Sequence, residues 1–142
     1  LWAKILDSVP NSRLVLKNSM LKNKHIKKKI IDQFEKRKIN IKKLVLEEGS
    51  PRKELMESYN KIDITLDPFP YSGGTSSFES IWMAVPVLTK KGSKFISCTT
   101  ESINRNIEMS DWVAHDENEY IIKAVEFSKN LGQLSTIKKN LI

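Results

Sequence analysis

The stretch Asp63–Pro86, DITLDPFPYSGGTSSFESIWMAVP, limits the folds open to this chain more than any other. It reads as a strand, a sharp turn and a helix in immediate succession. Ile62, Ile64 and Leu66 alternate with Asp63, Thr65 and Asp67, which is the period of a strand. Pro68 and Pro70 stop that strand, because proline has no N–H to give a ladder. Tyr71-Ser72-Gly73-Gly74 must turn tightly, and glycine there permits backbone angles that other residues resist. Thr75, Ser76 and Ser77 open a helix expected to bury Phe78, Ile81 and Trp82. A helix start carries unpaired N–H groups and the positive end of the dipole, so it is a seat for phosphate. Glu79 stands one turn beyond Thr75, placed to accept hydrogen bonds from ribose hydroxyls. Thr75 or Ser76 acting only as a helix cap is the structural alternative, and it uses the same geometry. Pro86-Val87-Leu88-Thr89 begins the next strand.

The flanking residues repeat the pattern. Trp2, Ile5, Leu6 and Val9 have helical spacing, and Pro10-Asn11-Ser12 ends that helix. Leu14-Val15-Leu16 is a short apolar run of the kind buried in a parallel sheet. Lys17 sits at its carboxyl end, where open α/β sheets bind ligands; it either reaches a phosphate or is a surface lysine. Residues 20–38 read as one helix with an Ile26, Ile30, Phe34 stripe and a lysine-rich outer face. His25 lies in that face without a second histidine nearby, so it is not read as a metal ligand. Leu44-Val45-Leu46 is the next strand. Ser50 is the expected N-cap of the following helix, with Pro51 at its first position. Later come a polar loop at Lys90–Lys94, a short helix over 100–108 and a brief strand at Trp112–Ala114. His115 is a turn residue, and Asp116 caps a helix over 117–129. A last helix runs from Leu131 to Ile142. Alternating helices and apolar strands imply an α/β fold, a Rossmann-like parallel sheet with helices on both faces.

With 142 residues, 39% hydrophobic content and three tryptophans, the chain suits a single globular domain over 1–142. The single cysteine, Cys98, excludes an internal disulfide framework and fits a reducing compartment. It has no evident activating histidine and reads as structural. No apolar run approaches the length of a membrane span. The chain opens on Leu1 inside a helix and reads as a piece of a longer protein. The net charge of +7 permits nucleic acid or an acidic membrane surface as partner. No aromatic platform accompanies the lysines, so a solvated face is the expected explanation.

DITLDPFPYSGGTSSFESIWMAVPVLT resembles the nucleotide-sugar loop of the O-linked N-acetylglucosaminyltransferase family and its bacterial relatives, which are GT-B enzymes. Glu79 followed by Ala84-Val85-Pro86-Val87 is similar to a glutamate-to-proline signature of many GT-B enzymes. A second patch agrees in order: Glu101-Ser102-Ile103, then Ser110 to Ala114, then Asp116-Glu117 and Tyr120. Trp2 to Lys17 is similar to the helix and strand upstream of the loop, so the resemblance covers nearly the whole chain.

The resemblance implies the C-terminal, donor-holding half of a GT-B glycosyltransferase, lacking its first strand. The parent would transfer a sugar, N-acetylglucosamine above others, from a UDP donor to a protein Ser or Thr, without metal or other cofactor. Gly73, Gly74, Thr75, Ser76, Glu79, Arg52 and Lys17 become the nucleotide-sugar-binding candidates; no catalytic residue and no metal ligand is assigned. Arg52 matches a basic position of the family. Leu55 stands where many relatives have histidine, and Gly74 where the animal enzymes have histidine. Glu79 keeps a carboxylate where those enzymes use aspartate. Cys98 and Thr100 depart from a basic residue and a glycine common in bacterial members. The lysine and glutamine that the family carries on its first strand and loop, the acceptor half and tandem helical repeats would lie upstream. The isolated chain is therefore expected to be inactive. Its expected partners are a UDP-sugar and, through the rest of the parent, a protein acceptor, with no nucleic acid and no membrane span, in the cytoplasm. A non-catalytic nucleotide-binding module and a basic nucleic-acid scaffold are the competing readings.

Overall fold

A computed structural model describes residues 1–141. The chain forms two compact units, Leu1–Leu55 and the residues from Met56 onward.

In the first unit, α1 (Trp2–Ser8) leads to β1 (Leu14–Lys17). Then α2 (Lys24–Glu35) leads to β2 (Leu44–Glu47). β1 and β2 pair in parallel, with Leu14 opposite Leu44 and Lys17 opposite Glu47. Their core is Leu6, Phe34 and Ile39, packed by Trp2, Ala3, Leu14, Ile30 and Leu44. The Lys43 ammonium closes the end of α1 by donating to the carbonyls of Leu6 and Val9, which a helix terminus otherwise leaves unpaired.

The single helix expected over 20–38 is two elements. A 3-10 turn at Ser19–Lys22 precedes α2, and Asn23 separates them in an extended conformation. The Asn18 and Asn23 side chains accept the amides of Met20 and His25 at 2.8 and 2.9 Å. Asparagine's local bonding to backbone two residues on restarts the helix there. Ser50 does not cap the helix that follows. Its hydroxyl is buried and bonds to nothing among the described residues. α3 (Arg52–Ser58) starts on the Pro51 carbonyl, which accepts the Leu55 amide.

The second unit holds β3 (Thr65–Leu66), β4 (Val87–Lys90) and β5 (Val113–Ala114), all parallel in the order β3-β4-β5. Around them lie α4 (Thr75–Trp82), α5 (Thr99–Asn106), α6 (Glu117–Lys129) and α7 (Leu131–Asn140). Consecutive residues Val87, Leu88 and Thr89 are each 0% exposed. Since successive side chains of a strand face opposite ways, both faces of β4 are covered. α6 packs on β4 and β5, and α4 and α5 pack on β4. Asp116 caps α6 as expected, accepting the Glu119 amide at 2.8 Å. Trp112 stacks on Phe127 of α6 with centroids 4.3 Å apart. Asn104 ties β4 to the segment before β5, donating to the carbonyls of Val87 and Trp112. The parallel pairing expected from the apolar runs is present, distributed over two sheets.

Candidate site at the start of helix α4

The loop from Asp67 to Gly74 leaves the carboxyl end of β3 and delivers the chain to α4. It includes a cis peptide at Phe69-Pro70. Asp67 is the loop's fixed point. It is 2% exposed, and the ends of its carboxylate are held by different elements. Oδ1 accepts the Gly73 N–H at 2.7 Å and Oδ2 accepts the Thr89 hydroxyl at 2.7 Å. The Asp67 carbonyl accepts the Tyr120 hydroxyl at 3.0 Å. Gly73 is held a second time, because its carbonyl accepts the Thr100 hydroxyl at 2.8 Å. Thr100 in turn shares a 2.8 Å hydrogen bond with Ser77.

Burial pushes the Asp67 carboxyl above its ordinary value, against the hydrogen bonds from the Thr89 hydroxyl and the Gly73 amide and the nearby hydroxyls of Thr100 and Ser77, which pull it down. A carboxyl raised in the folded state holds its proton to higher pH than in the unfolded chain. Stability therefore falls as pH rises through the raised value. Asp67→Asn should accordingly melt at a higher temperature than the wild type at neutral pH. The difference should close as the pH drops below the ordinary carboxylate range. Thermal melts across pH check this; a variant that melts lower at neutral pH would contradict it.

The glycine argument changes with the structure. Among the described residues no glycine has a positive φ. Gly73 is needed for space instead: a Cβ there would lie 2.5 Å from Ser77 Oγ, 2.8 Å from Ser76 Oγ and 3.0 Å from Asp67 Oδ1. At Gly74 the nearest atom to such a Cβ is Thr99 Cγ2 at 4.0 Å, an ordinary contact.

The packing of α4 is the reverse of the expectation. Ser77 and Ser80 are its buried residues, while Phe78 and Trp82 are 60% and 83% exposed and Ile81 is half-buried. Small hydroxyl residues let the helix lie close on the sheet, where each finds a partner. Ser80 bonds Thr65 at 2.6 Å and the Val85 carbonyl at 3.0 Å. The larger rings are displaced to the outer side. The helix ends with Ala84 at φ 57, and the Val85 amide returns to the Ser80 carbonyl.

Gly74 is the N-cap of α4, and no side chain caps it. The Gly74 carbonyl accepts the Ser77 and Phe78 amides, each at 3.1 Å, while no side chain caps the amides of Thr75 and Ser76 ahead of them. Thr75 and Ser76 are exposed there and Glu79 is half-buried one turn on. Tyr59 borders the same turn, donating to the Ser76 carbonyl at 3.3 Å. Its phenol is pushed up by burial and then by the charge of Glu79.

Gly73, Gly74, Thr75, Ser76 and Glu79 therefore share one helix start. The other two candidates belong to the first unit. Lys17 ends β1 and pairs with Glu47 at 3.0 Å, and Arg52 is the first residue of α3. Asp67, Thr89, Thr100 and Tyr59 are the residues of the site that periodicity does not single out. Cys98 is half-buried, its thiol 3.4 Å from the Gly92 carbonyl. No group of three or more His, Cys, Asp or Glu suited to a metal occurs among the described residues.

Parallel strands flanked by helices here match the C-terminal part of a GT-B glycosyltransferase. The sequence profile of Glycosyl transferase family 41 matches residues 1–142, and the chain belongs to that family. Among solved structures it is similar to a mutant O-GlcNAc transferase of Thermobaculum terrenum. The TM-score is 0.96 and the identity 35%, over 99% of this chain and 27% of that one. Curated relatives include proteins named probable UDP-N-acetylglucosamine–peptide N-acetylglucosaminyltransferase SPINDLY. The tomato protein (Solanum lycopersicum) is 30% identical over 99% of this chain, and the barley protein (Hordeum vulgare) 32% over 99%. The chain spans 15% of the length of each of these two relatives.

Proposed function

We propose that this chain is the donor-holding part of a protein O-glycosyltransferase. Its parent transfers a sugar, N-acetylglucosamine in the first instance, from a UDP carrier to a protein Ser or Thr. The observation that carries the reading is the uncapped start of α4, fixed from below by Asp67 and Thr100 and flanked by Glu79. Family membership and the relatives' names support the reaction class.

The Thr75 and Ser76 hydroxyls and the first-turn amides receive the diphosphate, and the helix dipole stabilises the charge that develops on UDP as it leaves. The reading routes that charge to the protein's own dipole and needs no metal. Glu79 accepts from the ribose. Arg52 and Lys17 are the remaining donor-side candidates, by family position and strand-end placement respectively. The acceptor protein and the catalytic groups belong to the rest of the parent. The reading places the enzyme in the cytoplasm; no helix among the described residues is long and apolar enough to cross a membrane.

Glu79→Ala separates the two halves of this assignment. It should weaken UDP about tenfold, a loss of about 1.4 kcal/mol, while changing pyrophosphate affinity little, since only UDP brings a ribose. Calorimetric titration with both ligands measures the difference. Equal losses for the two would remove the ribose role from Glu79.

A further inference from the structure

We infer that Asp67 is a positioning residue for the donor, its carboxylate anchoring the Gly73–Ser77 turn in the shape that receives a diphosphate. The inference rests on the donor-binding reading above. Asp67 does not face the ligand itself, being 2% exposed beneath the turn. It acts through Gly73. Gly73 is held at both of its backbone groups: its N–H by Asp67 Oδ1 at 2.7 Å and its carbonyl by the Thr100 hydroxyl at 2.8 Å.

Asp67 is in turn fixed by three further bonds. Its second oxygen takes Thr89, its amide donates to the Leu88 carbonyl at 2.9 Å, and its carbonyl takes Tyr120. The grip therefore transmits the position of β4 and α6 to the start of α4. Gly73 has no room for a side chain against Ser76, Ser77 and Asp67, so the turn has little freedom to settle elsewhere.

The donor inventory predicts which replacement preserves this. A carboxylate offers two acceptors, whereas an amide offers one acceptor and one donor. Asparagine keeps its oxygen on the Gly73 N–H, which cannot reverse its role. Its NH2 then meets Thr89, whose hydroxyl rotates to accept. Alanine leaves Gly73 without an anchor.

The test is backbone amide NMR of the wild type, Asp67→Asn and Asp67→Ala, each titrated with UDP. Asp67→Ala should move the ligand-free signals of Gly73 and Ser77 and weaken UDP about tenfold or more. Asp67→Asn should bind UDP within about threefold of the wild type, a difference below 1 kcal/mol. Asp67→Ser keeps a polar group for Thr89 but is too short to hold Gly73. It is expected to behave as alanine does, and carries the test if Asp67→Ala does not fold. A folded Asp67→Ala or Asp67→Ser variant that binds UDP like the wild type overturns the inference, as does an asparagine variant as weak as alanine. No UDP response in the wild type is a separate failure, of the donor reading, and takes this inference with it.

Discussion

Gly73→Ala is expected to destabilise the protein by about 2–3 kcal/mol and to abolish UDP binding at the α4 start, whereas Gly74→Ala should cost about 1 kcal/mol or less. The contrast comes from space. The new methyl at Gly73 would stand 2.5 Å from Ser77 Oγ and 2.8 Å from Ser76 Oγ, closer than real Cβ atoms come, and tightly against Asp67 Oδ1 at 3.0 Å. Ser77 cannot withdraw cheaply, since it is 2% exposed and bonded to Thr100. Asp67 cannot withdraw without releasing Thr89. The helix start must move instead, and it carries the amides proposed to hold the diphosphate. At Gly74 the same methyl meets only Thr99 at 4.0 Å, leaving the ordinary penalty of alanine at an N-cap. Denaturant unfolding of the two variants measures this. Equal destabilisation, or a Gly73→Ala variant that still binds UDP, would show that the turn is not packed as described.

The larger loss of stability is expected at Trp112. Trp112→Ala should cost about 3–5 kcal/mol, as for other buried large-to-small changes. The indole is 3% exposed and stacks on Phe127, so its removal opens a cavity between α6 and the segment leading into β5. A domain has about 5–15 kcal/mol in total, so this loss is a substantial share of it. The effect reaches the site through α6. Tyr120 is 0% exposed, donates to the Asp67 carbonyl and sets its ring edge-on to Phe69 at 5.8 Å. Loosening α6 loosens that support. Chemical denaturation gives the number, and a loss below about 1 kcal/mol would contradict the packing role assigned to Trp112.

What the sequence made legible follows from the range of each signal. Apolar runs at Leu14, Leu44 and Val87 became parallel strands, half-buried in β1 and β2 and fully buried over Val87–Thr89 of β4. Asp116 before Glu117 and Glu119 is a local capping signal, and α6 begins there. The Gly-Thr-Ser run located the helix start for the same reason. The misreadings share another cause. Phe78 and Trp82 were expected inside because they are apolar, yet α4 approaches the sheet through Ser77 and Ser80. That close approach depends on Thr65 and Thr100, partners 15 and 23 residues away in sequence. In the sequence Asp67 is only the polar residue that ends an alternating strand. Its burial depends on Thr89, 22 residues on, and Tyr120, 53 residues on. Periodicity carries no information about such pairs. The same limit applies to Asn23, whose side chain divides a stretch that apolar spacing alone reads as one helix.

Asp67 also shows why a residue can oppose stability and still belong. Its charge is disfavoured by burial, yet its two oxygens hold the turn and β4 together. Sites that need a fixed geometry commonly carry such costs.

The central claim is that the start of α4 holds the diphosphate of a UDP donor. Titrating UDP into isotope-labelled protein and following each backbone amide tests it most directly. The account predicts that Gly73, Gly74, Thr75, Ser76 and Ser77 shift first, with a dissociation constant nearer millimolar than micromolar, about −4 to −6 kcal/mol. If millimolar UDP moves none of those signals, the chain does not hold the donor at this turn.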